Sequence, residues 1–338
     1  MITIYDIAKI AKVSPSTVSK ALNDHSDISE KTKQRIRKLA DEQGYFPNSH
    51  ARSLITKRSY NIGVLFIDEA NSGLTHAFFA EILESIRLEL EKGGYDITFI
   101  SSGFGGHKDA SFLEHCRYRG VDGVILACID FDSEQVRELI ASDIPVVLID
   151  KEIEGRSSIL SMNYEGMKQS VEYLIAEGHT EIGFIHGQRN STGVTERRLA
   201  GFYKAMEEAQ IPVNEKWIMT GAYYAWEPTY ECVKKMLTMD HRPTALLMPD
   251  DYAALAAYRA VDRLNMKIPE DISLMGYDGL EISQAMSPRL TTMQQNTKMI
   301  GSLAGKKMIR LIEYNDQHEV IYVPSQLLEG KSVKKLMK

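Results

Sequence analysis

Residues 4–20 constrain this chain more tightly than any other stretch. Ile4, Ile7, Ala8 and Ala11 recur at helical spacing, so one face of a first short helix is apolar and small. Ser14 is a good N-cap, and Pro15 stands at a first helical position, where its missing N–H costs nothing. A second helix therefore begins at Pro15, about three residues after the first ends. Its spacing turns Val18, Ala21 and Leu22 inward and leaves Ser16, Thr17, Ser19 and Lys20 outside. Two short helices with a tight turn describe a helix–turn–helix. Small hydroxyls and one long cation on the second helix suit the major groove of DNA. The competing reading of the same face is a solvated side of a small helical bundle.

The next segment extends this small domain. Ser29 caps a third helix with Ile36, Leu39 and Ala40 as its buried stripe and Gly44 as its stop. Pro47 then ends what precedes it, and Asn48 or Ser49 starts another short helix holding Ala51, Leu54 and Ile55 on one face. Such a helix is marginal in water by itself. It is expected to order against a second copy of itself or against DNA. Charge follows the same division. Residues 1–60 carry eleven lysines and arginines against six acidic residues, a net of +5, whereas the remaining 278 residues carry −11. A basic arm on an acidic body suggests local phosphate contact, with Lys31, Lys33, Arg35, Arg37 and Lys38 as candidates.

From Asn61 onward, strand and helix alternate. Ile62–Ile67 is a short apolar run of the kind a strand buried on both faces requires. A helix near 77–92, a strand at 95–100, a helix near 112–119 and strands at 123–129 and 145–149 complete a first set. A second set begins near Tyr164, with strands at 182–185, 245–248 and 272–275. This alternation predicts parallel sheets with right-handed crossovers, in two doubly wound α/β lobes with a cleft between them. Ligands bind beyond the carboxyl ends of strands in such sheets.

Residues 3–58 resemble the headpiece and hinge of the LacI family of bacterial transcription regulators. The matching marks are Tyr5-Asp6-Ile7-Ala8, Ala11, Val13-Ser14, Thr17-Val18-Ser19, Asn23, Gly44-Tyr45, Pro47-Asn48, Ala51 and Leu54. The similarity continues through nearly the whole chain. It implies a small all-α headpiece at 1–46, a hinge helix and linker at 47–59, and a periplasmic-binding-protein-like core at 60–338. The core's N-lobe would comprise about 60–161 and 292–322, its C-lobe about 162–291 and 323–338. Crossings fall near 161–163, 289–292 and 321–324. The resemblance places Pro15, Ser16 and Lys20 at base-reading positions and Thr3, Tyr5, Ser14, Thr17, Ser19, Asn23, Asn48 and Ala51 among further DNA contacts. Leu54 matches the leucine that each hinge helix wedges into the minor groove, where unstacking is repaid by added contact. The implied partners are a double-stranded operator, a second copy of the chain in a homodimer, and a small-molecule effector.

Residue types at strand ends point to the effector pocket. Asp150 follows the apolar strand ending at Ile149, and Asp278 lies beyond Leu274-Met275-Gly276-Tyr277. Carboxylates there can accept hydrogen bonds from vicinal hydroxyls. Arg198 offers a planar fork of donors, and Phe78, Phe79 and Tyr223 offer faces for a ring. By resemblance these are effector positions, with Asp250 standing where the family usually has asparagine. Each carboxylate has a plainer reading as a helix cap or interlobe ion pair, and each aromatic as core. The chain also departs from the family pattern. The loop 68–75 is longer, Met162 and Gly330 replace an expected Asp and Arg, and Ala222 replaces a common Asp. Trp226 could compete with Tyr223 as the stacking platform. These changes cluster at the cleft.

Several classes are excluded on the sequence. No run of about 18 apolar residues and no signal-peptide pattern occur, so the expectation is a cytoplasmic protein without membrane contact. Cys116, Cys128 and Cys232 have no metal-like spacing and read as reduced thiols, and the histidines as structural; no metal or cofactor is expected. An α/β enzyme with an accessory DNA domain would need a nucleophile elbow or phosphate loop. Only Gly103-Phe104-Gly105-Gly106 comes near, without the third glycine or a following Lys-Ser/Thr. A global regulator with a phosphocarrier-protein partner would need a basic patch, for which Lys298, Lys306, Lys307 and Arg310 are the candidates. The reading favoured is a repressor of a carbohydrate transport or catabolism operon.

Overall fold

The computed structural model describes residues 2–45, 58–67, 72–104, 106 and 109–336. The hinge positions Asn48, Ala51 and Leu54, and residues 68–71 of the first loop, lie outside them. The chain divides into two compact units, Met1–Tyr60 and Asn61–Lys338.

Among its described residues the first unit holds three helices, α1 (Ile4–Ala11), α2 (Pro15–Leu22) and α3 (Glu30–Glu42). Each start is chemically marked. Thr3 and Asp6 form a reciprocal capping box on α1, the Ser14 hydroxyl accepts from Thr17 N–H on α2, and Ser29 accepts from Thr32 N–H on α3. Each cap is worth about 1 kcal/mol. The apolar stripes meet in a core of Ile7, Ala8, Ala11, Val18, Ala21 and Ile36, with Leu22, Ile28, Leu39 and Tyr45 packed around it.

The described residues of the second unit form two six-stranded sheets. In the first lobe β1 (Asn61–Phe66), helix α4 (Ala77–Lys92), β2 (Asp96–Phe99), α5 (Phe112–Arg119), β3 (Gly123–Ala127), α6 (Glu134–Ala141), β4 (Val146–Ile149) and β5 (Ser157–Ser161) follow one another. The second lobe begins with α7 (Asn163–Ala176), β6 (Ile182–His186), α8 (Val194–Glu208), β7 (Ile218–Thr220), α9 (Trp226–Leu237), β8 (Ala245–Leu247), α10 (Asp251–Arg263), β9 (Ser273–Asp278), α11 (Glu281–Ala285) and β10 (Thr291–Gln294). Helix α12 (Thr297–Tyr314) and β11 (Val320–Val323) return to the first lobe, and β12 (Gln326–Leu328) closes the second sheet. Sheet orders are β11-β5-β4-β3-β1-β2, all parallel, and β12-β10-β9-β8-β6-β7, parallel except for β12. Central strands are buried at every position, which is why they read as continuous apolar runs.

Helix α12 packs on α4 because Gly301 lets the backbones meet: a Cβ there would lie 2.3 Å from the Ile82 carbonyl oxygen. One expectation needs correction. Strand β10 pairs with β9 and β12, so residues 291–294 belong to the second sheet. The chain leaves that lobe between Gln294 and Thr297, later than the crossing expected at 289–292. Strand β5 was also not anticipated. Its Ser157, Ser158 and Ser161 are buried in the sheet, where an apolar run is the usual signal.

Candidate functional site

Two regions carry polar groups in arrangements that fold stability alone does not require. The first is the outer face of α2. Ser16 is exposed, and Pro15, Thr17, Ser19 and Lys20 are partly exposed, so a convex polar ridge is presented on a helix whose opposite side is buried. Tyr5 is 71% exposed, a large ring that the headpiece core does not use. Other residues in the proposed contact set are already engaged locally. Thr3 caps α1, the Ser14 hydroxyl lies 2.8 Å from that of Thr17, and Asn23 donates its amide to the Ser19 carbonyl. Their polar groups shape the turn, leaving Ser16 and Lys20 as the projecting pair. Lys20 makes an exposed ion pair with Asp27 at 2.5 Å.

The cation set of α3 is not uniform. Lys33 is only 5% exposed, and its ammonium binds Asp24 and Glu30 and donates to the Asp24 carbonyl. It ties the loop before α3 to the helix and is not placed to meet phosphate, contrary to expectation. Arg35 donates to the Ala11 carbonyl at the end of α1, and Arg37 pairs with Asp24. Lys31 and Lys38 remain exposed.

The second region is a cavity of about 330 Å³ between the lobes. Phe78, Phe79 and Asp150 enter it from the first lobe, and Arg198, Tyr223, Asp250 and Asp278 from the second. Arg198 is 4% exposed on α8. Its Nε donates to Asn163 Oδ1 and one terminal nitrogen to the Pro249 carbonyl, both at 2.8 Å, while the other stands 3.7 Å from Asp278. The guanidinium lies 3.7 Å over the Tyr277 ring. Tyr223 rests on Gly187, where any Cβ would fall 2.1 Å from its ring, and its hydroxyl lies 2.8 Å from that of Thr195.

The three carboxylates differ. Asp250 is the N-cap of α10: one oxygen accepts from Ala253 N–H at 2.6 Å and the other from Tyr224 N–H at 2.7 Å. The helix-cap reading therefore holds for it, although it also borders the cavity. Asp278 accepts from the Gln295 amide at 2.6 Å. Burial pushes it up to about 7 against the pull of Arg198, with Asp250 and Asp150 adding repulsion. Asp150 Oδ1 is buried with no hydrogen-bond partner, and burial raises this carboxyl too, opposed by Arg197 and Arg198. Four non-glycine residues with positive φ border the cavity: Cys128 (52°), Asp150 (63°), Tyr224 (51°) and Asp278 (104°). Backbone strain of this kind costs on the order of 1–3 kcal/mol per residue and collects where geometry serves a ligand.

The lobes are tied across the cavity. The Tyr224 hydroxyl accepts from Ala77 N–H at 2.8 Å and donates to the Thr75 carbonyl, and its ring stacks between His76 and Tyr252. On the other side, Ser191 Oγ accepts from Phe131 N–H at 2.7 Å, its carbonyl accepts from Lys151, and Arg197 donates to the Asp150 carbonyl. His76, Tyr224, Asn163 and Gln295 were missed on the sequence. Nothing local distinguishes Tyr224 from Tyr223, and Gln295 follows a segment, Thr291–Gln294, without a marked strand pattern. Trp226 does not border the cavity; it is 42% exposed with Arg259 over its ring.

Two of the four cations proposed for a phosphocarrier patch are spoken for. Lys307 is buried against Asp316 and Glu319, and Arg310 pairs with Asp316. Among the described residues, no helix is long and apolar enough to cross a membrane.

Both units of the chain have counterparts among known proteins. Residues 3–48 match the family model of bacterial regulatory proteins of the lacI family, and residues 171–333 match the periplasmic binding protein-like domain. The chain is 31% identical over 339 residues to a probable HTH-type transcriptional repressor ExuR of Bacillus subtilis (strain 168), covering 99% of both. It is 32% identical over 340 residues to the HTH-type transcriptional repressor PurR of Histophilus somni (strain 2336), covering 99% of this chain and 100% of that one. Among solved structures, the lac repressor dimer bound to operator and the anti-inducer ONPF superposes with a TM-score of 0.82 at 27% identity, covering 98% and 99%. With its helix–turn–helix headpiece and two-lobed ligand-binding core, the chain belongs to the lacI family of DNA-binding transcriptional repressors.

Proposed function

We propose that this repressor binds a pseudo-palindromic operator as a homodimer, and that a small sugar-like effector in the interlobe cavity shifts its affinity for DNA. The regulated genes would serve carbohydrate transport or catabolism. The observation that carries the reading is the cavity itself. Asp150 from one lobe faces Arg198 and Asp278 from the other, among aromatic faces, so a polyhydroxylated ligand touches both lobes at once. Such a ligand binds the two lobe arrangements unequally and shifts their equilibrium by that difference alone. The operator-bound dimer of the lac repressor, with a ligand in its own structure, supports the analogy. One headpiece offers one recognition helix, too little contact for the usual specific affinity of about 10⁻⁸–10⁻¹¹ M, which favours a dimer. In this scheme Pro15, Ser16 and Lys20 read bases, Thr3, Tyr5, Ser14, Thr17, Ser19 and Asn23 support or contact the backbone, and Asn48, Ala51 and Leu54 act through the hinge. The test is footprinting on the DNA flanking its own gene, followed by titration of the retarded complex with sugars. A protected palindrome whose occupancy responds to a sugar is expected; protection indifferent to every sugar would remove the effector half of the proposal.

A further inference from the structure

We propose that the cavity selects an uncharged polyhydroxylated ligand and discriminates against carboxylate- or phosphate-bearing analogues of the same ring. The inference rests on the effector reading above and goes beyond it to the ligand's charge. Among the described residues, three carboxylates, Asp150, Asp250 and Asp278, border the cavity against one arginine, Arg198, and no lysine. An anion needs a bidentate fork or a row of free N–H groups. Arg198 offers neither, because Nε and one terminal nitrogen are spent on Asn163 and Pro249 and the other faces Asp278. The neighbouring cations do not line the cavity: one terminal nitrogen of Arg197 donates to the Asp150 and Thr192 carbonyls, its Nε is buried without a partner, and Lys151 donates to the Ser191 carbonyl.

The helix N-termini that open on the cavity would ordinarily favour an anion. Each has a leading N–H answered within the chain: Ala77 by the Tyr224 hydroxyl, Val194 by the Thr192 hydroxyl and Ala253 by Asp250. Among the described residues, one carboxylate oxygen of the cavity has no donor. It is Asp150 Oδ1, and a ligand hydroxyl would supply one. A ligand carboxylate or phosphate would bring negative charge beside Asp150, Asp250 and Asp278, and a buried like charge is costly.

The test uses the full-length protein and matched trios: D-glucose, D-glucuronate and D-glucose 6-phosphate, then D-galactose, D-galacturonate and D-galactose 1-phosphate. Isothermal titration at pH 7.5 should find at least one neutral sugar that binds, with its anionic counterparts at least tenfold weaker. In Asp150→Asn, an isosteric change, that gap should narrow. Because Asp150 could matter for folding, the salt dependence of wild-type binding is a second arm: neutral-sugar affinity should not change between low and high salt. An anionic member binding as tightly as its neutral parent, or no neutral sugar binding at all, overturns the proposal. Operator affinity is measured separately, so a sugar that binds with the expected preference but leaves DNA binding unchanged would overturn the effector role and not the selectivity.

Discussion

The headpiece and the cleft handle polar groups in opposite ways. On the headpiece, Ser16 and Lys20 stand on a surface whose buried side is a core of six small or medium apolar residues. In the cleft, Arg198, Asp250 and Asp278 are buried and tied to backbone or to neighbouring side chains. Exposed recognition groups contribute little to folding, so they can change without unfolding the domain. Buried ones are coupled to the fold, and removing one leaves its partners unsatisfied. A regulator built this way can vary its DNA face more freely than its ligand site.

The comparison breaks first if the headpiece core is tolerant. Ile36 is fully buried in a domain with little other apolar mass, and Ile36→Ala should cost about 2–5 kcal/mol. Operator binding and headpiece amide protection should be lost while sugar binding by the core persists. Next, Arg198→Ala strands Asn163 and Asp278 in the buried cleft and should cost about 3–5 kcal/mol, read as a lowered core melting temperature. Smaller is Lys20→Ala, expected to cost about 1–3 kcal/mol on the preferred operator and almost nothing on random DNA. Lys31→Ala should weaken all DNA alike and lower the salt slope by about 1, whereas Lys33→Ala should lower the headpiece melting temperature.

A separate effect is a pH dependence, read as a slope and not as a single loss. Asp278 has its folded pKa raised to about 7, so between about pH 4 and 7 the folded state holds a proton that the unfolded state has released. Core stability should therefore fall as pH rises through that window, and Asp278→Asn should flatten the slope. An unchanged slope in the variant would assign the proton to another group.

Legibility in the sequence followed the same divide. The start of α2 is legible from the Ser14 cap and Pro15, and α4 from its helical periodicity, since both are local signals. Strands β3 and β4 were readable as apolar runs. Strand β5 was not, because its serines are buried by neighbours distant in sequence, and β10 was misplaced because Thr-Thr-Met-Gln has no marked strand pattern. Lys33 looked like a surface cation since nothing local announces Asp24 as its partner. In the cleft, strand-end position singled out Asp150 and Asp278. Tyr224 escaped notice because its meaning lies in a contact with Thr75 and Ala77 across the lobes.

The central claim is that occupancy of the cleft and occupancy of DNA are linked through one chain. The direct measurement is the operator-binding isotherm by fluorescence anisotropy, with and without a saturating sugar identified by titration, for wild type and Asp278→Ala. The account predicts a sugar-dependent shift of roughly 5–150-fold in wild type, the usual range of allosteric coupling, and none in the variant, with the two sugar-free curves coinciding. Coincident wild-type curves with and without bound sugar, or an equal shift in the variant, would contradict it.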